Sequence, residues 1–134
     1  MPLYLTEAEV AELLTPADAL EAVEACSRRL AAGEIENVPR QRTRWEGGFL
    51  AVMWAVDREL GLAGLKTYAA GHEDANFVVL LFETATQENV AVIEANKLGQ
   101  LRTGAASGVA AKHLAREGAS TLGLIGRASC RERV

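Results

Sequence analysis

The sequence predicts an α+β fold, in which N-terminal helices pack on a mostly antiparallel sheet and the first strand of a nucleotide-binding domain follows. Three observations predict it. Residues 6–33 carry two helix patterns, residues 38–93 carry short apolar runs between turn residues, and residues 120–126 form an apolar run that ends in glycine. A chain of 134 residues is long enough for one domain with a core and too short for two complete ones.

The composition is that of an ordinary globular protein, with 49% hydrophobic and 24% charged residues. A net charge of −4 gives no electrostatic reason to expect nucleic acid or an anionic membrane as a partner. Cys26 and Cys130 lack metal-ligand spacing, the N-terminus lacks a signal-peptide pattern, and no apolar stretch reaches transmembrane length. We therefore expect a soluble protein of the reducing cytoplasm, without a nucleic-acid or membrane partner.

The N-terminal segment predicts a short strand at Leu3–Leu5 and then two helices. Thr6 and Glu9 have the spacing of a capping box, in which a hydroxyl and a carboxylate satisfy the first amides of a helix. Thr15 is the expected N-cap of the second helix, with Pro16 at its first position. The apolar positions of this helix recur on one face: Leu20, Val23, Cys26 and Leu30.

The middle of the chain predicts a meander of antiparallel strands. Four apolar runs of strand length are separated by turn residues: 49–54, 63–68, 77–82 and 90–93. The run 77–82 does not alternate between apolar and polar residues, so we expect both of its faces to be covered.

Residues 97–116 predict a helix that is unusually rich in glycine, alanine and serine, so that another backbone can approach it closely. Gly118 ends this pattern, and residues 120–126 resemble the buried strand and glycine that open a βαβ nucleotide fold. We therefore divide the chain into a first domain at 1–118 and the start of a nucleotide-binding domain at 119–126.

The last residues depart from a dinucleotide-binding loop. Such a loop needs a second glycine two residues after Gly126, and Ala128 stands there. A common short-read sequencing adapter can encode residues 125–134. We therefore expect residues 127–134 to be a non-native tail.

Three arginines follow Pro39 at alternate positions, which places Arg40, Arg42 and Arg44 on one side of a strand. One of them can grip a substrate carboxylate as a bidentate fork. The alternative is a solvated strand face that discourages pairing at a sheet edge.

Lys66 lies in an otherwise apolar strand, where it must extend its ammonium to solvent, pair with an acid or serve a site. A lysine removed from water is suited to proton transfer. Arg102 and Thr103 lie where the small-residue helix is expected to start, so the guanidinium can share a pocket with the first helical amides, which favour anions. The alternative is a surface arginine with Thr103 as an ordinary N-cap. His72 and His113 have no partner at ligand spacing, so we expect no metal site.

Taken together, these segments resemble the ornithine cyclodeaminase/μ-crystallin family. The matching segments are Val38–Arg42, Gly64–Lys66, Leu98–Ala111, Leu114–Arg116 and Leu122–Gly126. The block Arg-Thr-Gly-Ala-Ala-Ser-Gly at 102–108 is the most specific of them. The resemblance implies a two-part enzyme, whose first part binds substrate and forms a homodimer through its sheet and whose second part is a Rossmann domain binding NAD(H) or NADP(H).

The family's reactions imply hydride exchange at an α-carbon that bears nitrogen, with an amino or imino acid as substrate. Cyclodeamination of ornithine, oxidation of alanine and reduction of cyclic ketimines all belong to it, and the sequence does not separate an ornithine cyclodeaminase from an imino-acid reductase or an alanine dehydrogenase. A non-catalytic dimeric binding module is the alternative of another class. Because the cyclodeaminases' catalytic aspartate has no counterpart here, this chain is expected to be inactive alone.

Carried over to this sequence, the resemblance implies that an arginine after Pro39, Lys66 and Arg102 surround the substrate carboxylate. The family's Pro-x-Arg offset falls on Gln41, so Arg42 is our first choice and Arg40 our second. Lys66 is also the expected catalytic residue, assisting proton movement at the amino or imino nitrogen.

The same resemblance places the cofactor beside the last matching segments. Thr103 and Gly126 are the residues implied to bind it.

Overall fold

The computed structural model describes residues 1–71 and 75–123 and confirms the α+β class. Its elements, in chain order, are β1 (Leu3–Leu5), α1 (Glu7–Leu13), α2 (Pro16–Ala31), β2 (Ile35–Trp45), β3 (Gly48–Asp57), β4 (Leu62–Ala70), β5 (Asn76–Glu83), β6 (Asn89–Glu94) and α3 (Asn96–Leu114).

The six strands form one sheet in the order β1-β6-β5-β4-β3-β2. Strands β2 to β6 follow one another as antiparallel neighbours, and β1 alone pairs in parallel, with β6. The predicted meander is therefore confirmed. Its first strand, β2, is an edge of the sheet and carries the three alternating arginines.

Both N-terminal helices begin as the sequence predicts. Thr6 and Glu9 form a reciprocal capping box at α1, and Thr15 and Asp18 form a second one at α2. Helix α2 ends at Ala31, and two residues later Gly33 has a φ of +79°, a left-handed conformation that glycine adopts without a Cβ penalty. The capping box at Thr15 and the glycine after the last turn thus fix the two bounds of α2, a helix of 16 residues.

The core lies between the sheet and the helices α1 and α3. Val10 of α1 packs against Ala91 and Ile93 of β6, with Val79 of β5 and Leu98 of α3 around them. Directly opposed residues of neighbouring strands share a face, so this helix-covered face also carries the partners of these residues on β4 and β3.

Helix α2 packs mainly on α3, and this corrects part of the predicted apolar face. Leu20 and Leu30 remain 40% and 49% exposed, and Ala19 is the buried residue of the helix. The two helices meet closely at Gly108 of α3, where an added Cβ would lie 2.7 Å from Leu20 Cδ2. Because Gly108 has no side chain to cover Leu20, part of Leu20 stays exposed. Near its end, α2 meets the sheet through an ion pair of Arg29 with Asp57 at 2.8 Å.

Beyond Leu114 the described residues contain no further helix or strand. Residues 120–123 therefore do not adopt the predicted strand, and a strand with no neighbour to pair with has nothing to hold it extended. The rest of that segment and the expected tail, residues 124–134, lie outside the described residues, as do residues 72–74. No helix within the described ranges is long and apolar enough to cross a membrane.

Candidate functional site

The candidate site lies on the helix-covered face of the sheet, at the end that the helices leave open. The strand register sets Arg42, Ala51, Tyr68 and Phe77 in one row across β2, β3, β4 and β5. Lys66 stands in the next row, between Met53 of β3 and Val79 of β5. These rows share a face because directly opposed residues point the same way.

Three aromatic rings line this end of the sheet: Phe49, Tyr68 and Phe77. The Phe49 and Tyr68 ring centroids lie 6.0 Å apart in an edge-to-face arrangement, and those of Tyr68 and Phe77 lie 4.5 Å apart. Distances of this size are those of favourable aromatic pairs. We call these three residues the aromatic row.

Four cationic side chains lie over the aromatic row. Lys66 Nζ is 4.5 Å from the Phe77 centroid and 5.9 Å from that of Tyr68. Arg40 Cζ is 5.9 Å from the Tyr68 centroid. The remaining two guanidinium groups both face Phe49: Arg42 Cζ at 5.5 Å and Arg44 Cζ at 5.9 Å. All five distances fall within the range of cation–π attraction, about 6 Å.

A bulge in β2 brings Arg40 to this row. The register of β2 against β3 shifts between Val38 and Gln41, at Pro39, which has no N–H to give to the sheet. Arg40 Nε then lies 3.3 Å from Met53 Sδ, beside Lys66. The arginine that shares a ring with Lys66 is therefore Arg40, whereas Arg42, the first choice from sequence, lies one ring further along.

Lys66 is half-buried between the sheet and the first turn of α3. A Cβ placed on Gly99 would lie 3.9 Å from Lys66 Nζ, an ordinary contact distance, so the ammonium of the lysine lies against this turn of the helix. The helix start is tied to β5 at Phe77: its amide donates to Asn96 Oδ1 at 3.2 Å, and its carbonyl accepts from the amide of Ala95 at 2.8 Å. The ring under the lysine and the helix above it are thus held together.

The first amides of α3 are occupied, which corrects the expected anion site at Arg102 and Thr103. The helix begins at Asn96, and the amides of Asn96 and Lys97 donate to the Glu7 carboxylate at 2.5 and 2.9 Å. Thr103 is inside the helix and donates its hydroxyl to the carbonyl of Gly99 at 2.7 Å. The predicted bounds of the helix, 97–116, agree with the structure to within two residues, whereas the placement of Thr103 as its N-cap is wrong: the N-cap residue is Ala95, which offers no capping side chain.

Glu94, the last residue of β6, caps the start of α1. Its carboxylate accepts from the amide of Glu7 at 2.8 Å and from the Tyr4 hydroxyl at 2.9 Å. The hydrogen bond from the Glu7 amide, followed by that from Tyr4, lowers the pKa of Glu94. These two carboxylates, Glu7 and Glu94, fix α1 and α3 to the edge of the sheet and are structural groups.

Arg102 is an exposed residue of α3, three positions after Gly99. Residues three apart share a helix face, and helical side chains lean towards the N-terminus, so Arg102 reaches back towards the turn above Lys66. Within the described residues it forms no ion pair. The structure thus brings Lys66 and Arg40 to one ring and Arg42 to the next, and it sets Arg102 on the adjacent helix.

The sequence alone could have predicted only one residue of the aromatic row, Tyr68, and it could have done so through the spacing of Tyr68 from Lys66. Tyr68 follows Lys66 by two residues, so it had to share the lysine's face in a strand. Phe49 and Phe77 depend on the register between strands, which the sequence leaves open.

The described residues do not by themselves form a dinucleotide site. The Thr103 hydroxyl is used within the helix, the first α3 amides are used by Glu7, and Gly126 lies outside the described residues. No group of acidic, histidine or cysteine residues in the described ranges could hold a metal ion. What the site does offer is a cluster of cations over apolar rings, which suits a small anion with an apolar body.

Comparison with known proteins gives a family match over nearly the whole chain. The profile of the ornithine cyclodeaminase/mu-crystallin family matches residues 2–131. Alanine dehydrogenase of Archaeoglobus fulgidus is 37% identical over 131 residues, which cover 92% of this chain and 40% of the relative. Iminosuccinate reductase of Paracoccus denitrificans is 35% identical over 133 residues, which cover 92% of this chain and 42% of the relative.

Solved structures agree with this match. An archaeal alanine dehydrogenase dimer with bound NAD superposes with a TM-score of 0.82 at 34% identity, covering 87% of this chain and 38% of that one. The Paracoccus denitrificans iminosuccinate reductase in complex with NAD+ gives 0.83 at 31% identity, covering 88% and 39%. The chain therefore spans about two fifths of the length of these relatives.

Proposed function

Because the chain belongs to the ornithine cyclodeaminase/mu-crystallin family, we propose that it is the substrate-binding part of a longer NAD(P)-dependent enzyme. That enzyme acts on an amino or imino acid by hydride exchange at the α-carbon, either with deamination, as in a cyclodeaminase, or as a reductase or dehydrogenase. The observation that carries the proposal is the cluster of Arg40, Arg42 and Lys66 over the aromatic row, beside the first turn of α3.

In this proposal the α-carboxylate of the substrate binds between Lys66 and Arg40, with Arg102 closing the site from α3. Charge-assisted hydrogen bonds of this kind contribute about 1.5–3 kcal/mol each. Two fixed cations also orient the substrate, because a carboxylate held at both oxygens presents its Cα–H in one direction. The rings beneath exclude water from the apolar side of the substrate.

Lys66 has a second proposed role, as the group that moves a proton at the amino or imino nitrogen. It is the one cation of the cluster on a central strand, half-buried under α3, whereas the three arginines are exposed on β2. Ammonium can release a proton near neutral pH when its surroundings favour the neutral amine, and guanidinium cannot.

The cofactor, NAD(H) or NADP(H), belongs in this proposal to the part of the protein that the relatives have and this chain does not span. It supplies the hydride acceptor or donor. Homodimerisation and a cytoplasmic location complete the proposal. The sheet face opposite the helices supports the first, and the absence of a metal or disulfide pattern at the two cysteines favours the second.

The test compares this chain with the longer protein expressed from the native gene, in which the native sequence stands in place of the expected tail, residues 127–134. NADH and NADPH are titrated into both by calorimetry, and turnover of amino and imino acids is measured in the longer protein. We expect only the longer protein to bind nucleotide. We expect Lys66→Gln to lower kcat/KM by roughly 100-fold, the usual cost of removing one charge-stabilising group.

Two controls sharpen the test. Arg58→Gln removes an exposed arginine whose partner is Glu36, away from the site, and it leaves turnover unchanged. The pH profile of kcat separates proton transfer from carboxylate binding, because Lys66→Arg preserves the charge but not the titration. A longer protein that binds no nucleotide and turns over no substrate supports the non-catalytic module instead.

A further inference from the structure

We propose that Arg42 and Arg44 form a second carboxylate site, so that the substrate is a dicarboxylic amino or imino acid. The inference rests on the proposed function, since it takes Lys66 and Arg40 as the site of the α-carboxylate. It adds the chemical class of the group at the other end of the substrate, a second carboxylate.

The four cations divide into two pairs by the rings that they face. Lys66 and Arg40 both lie 5.9 Å from the Tyr68 centroid, whereas Arg42 and Arg44 lie within 6 Å of Phe49. The two ring centroids are 6.0 Å apart. One carboxylate needs one such pair, so the second pair is left for a second anion about one ring further along.

The floor between the two pairs is small and apolar. Ala51 stands directly between Arg42 and Tyr68 in the row and is fully buried beneath the larger side chains around it. A short carbon chain can therefore bridge the pairs over Ala51 without displacing a polar group. With bonds of about 1.5 Å, an extended four-carbon dicarboxylate measures about 4 Å between its terminal carbons and about 6 Å between its outer oxygens, and a five-carbon one is about 1 Å longer, so the oxygens of either reach across this separation.

No carboxylate of the described residues neutralises this second pair. Other arginines of the chain do have acidic partners: Arg28 pairs with Glu24, and Arg29 pairs with Asp57. Arg42 and Arg44 form no ion pair within residues 1–71 and 75–123, although the net charge of the chain is −4. Two neighbouring cations with no counter-ion among the described residues attract an anion from solution.

Protection of a sheet edge does not account for this arrangement. Charges on an edge strand hinder pairing with another strand when they extend into solvent. Here both guanidinium groups turn onto the same ring, Phe49, which is directly opposed to Arg44 across the strands. That geometry concentrates the two charges at one point of the face.

The experiment titrates carboxylates into this chain and follows the aromatic-ring and arginine Nε signals by NMR at constant ionic strength. Three probes each carry one carboxylate and differ at the other end of the molecule: succinate, its isosteric half-amide succinamate, and propionate. We expect succinate to bind about tenfold more tightly than succinamate, because hydrogen bonds to a charged group add roughly 1.5 kcal/mol or more. We also expect succinate alone to shift the Phe49 signals strongly.

Variants assign the effect to the second pair. The double variant Arg42→Gln, Arg44→Gln is expected to bring succinate down to the affinity of succinamate. Arg58→Gln, on the turn after β3, is the matched control and keeps the tenfold difference.

Three other outcomes of the titration would each contradict a different part of the proposal. Equal binding of succinate and succinamate, with the Tyr68 signals still perturbed, removes the second carboxylate site and leaves the proposed function standing. A preference for succinate that survives the double variant places the second carboxylate elsewhere. Failure of all three probes to perturb Tyr68 removes the proposed carboxylate site and this inference with it.

Discussion

Single carboxylates tie the helices of this protein to one another. Glu24 of α2 accepts from Lys112 Nζ at 2.7 Å and faces His113 Nε2 at 2.8 Å, both on α3, and it accepts from Arg28 of its own helix at 2.7 Å. These contacts, that of Lys112 first, lower the pKa of Glu24 to about 2. The ionised form of this one residue therefore favours the folded state.

We predict that Glu24→Gln removes an acid-sensitive part of the stability. Since the folded-state pKa of Glu24 lies below the ordinary value of 4.5, its contribution is fully present above pH 4.5 and is lost as the pH falls through about 2. Urea unfolding at a series of pH values measures it. The difference between the unfolding free energies of wild type and variant should be constant above pH 4.5 and shrink below.

Glu21→Gln is the matched control, because Glu21 is an exposed residue of the same helix with no ion pair in the described part of the chain. It should leave the pH dependence as in the wild type. A difference between wild type and Glu24→Gln that stays the same from pH 6 to pH 2 would contradict the prediction.

At the scale of single residues, the sequence predicts those side chains whose surroundings are set by near neighbours in the chain. Lys66 stood out because an apolar strand surrounds it, and Glu9 because Thr6 stands three residues before it. Glu7 could not be predicted to cap α3, since the amides that it accepts from are 89 and 90 residues away. No pattern in a single sequence joins residues at that distance.

Helix α3 shows what the sequence can predict of an element and what it cannot. Its bounds followed from the sequence to within two residues, but the capping of its start did not, because Ala95 gives no capping bond and Glu7 supplies one from α1. Its glycines serve different contacts. A Cβ on Gly108 would lie 2.7 Å from Leu20 and one on Gly99 would make an ordinary contact with Lys66, whereas a Cβ on Gly104 would meet nothing within 4 Å.

We therefore predict that Gly104→Ala stabilises this chain by roughly 0.5–1 kcal/mol. Alanine restricts the unfolded backbone and favours the helix, and at this position it costs no contact. Chemical denaturation of the purified chain measures the change. Destabilisation would show that the exposed side of α3 already packs against something in this chain.

Gly71→Ala is the opposing control. A Cβ there would lie 2.5 Å from the carbonyl oxygen of Gly47, closer than real contacts allow. The atom that it meets belongs to the backbone of the β2–β3 turn and cannot rotate away. This variant should therefore lower the unfolding free energy.

The molecule as a whole has a thin core for its size. The buried hydrophobic residues of the described part are five alanines, Val10 and Ile93, and no large side chain is fully buried. Helices α1 and α3 lie on the sheet face that carries Lys66. Along the opposite face run half-exposed apolar residues, including Val52, Leu65 and Leu80.

This open face explains why one expectation about β5 failed within the chain. Residues 77–82 are apolar throughout, which predicted cover on both faces, yet in this chain all six remain partly exposed. If the proposed homodimer forms through this face, the sequence pattern reflects burial in that dimer rather than in this chain alone. A second copy meeting the first through this face would supply the missing cover.

We predict that the chain, or the longer protein that contains it, forms a homodimer through the open face. Trp54 and Leu50 lie on that face and are 40% and 42% exposed. Stable dimers bury about 800 Å² or more per partner, and charges at the centre of such an interface oppose association. The double variant Leu50→Lys, Trp54→Glu should therefore sediment as a monomer in analytical ultracentrifugation.

Leu114→Lys provides the control, because Leu114 is 83% exposed at the end of α3 and lies away from the open face. It should leave the dimer intact. A wild type that stays monomeric at tens of micromolar, or a double variant that still dimerises, would contradict the prediction. In either case the apolar face of the sheet must be covered by something other than a second copy, and the continuous apolar run of β5 would then point to the remainder of the longer protein.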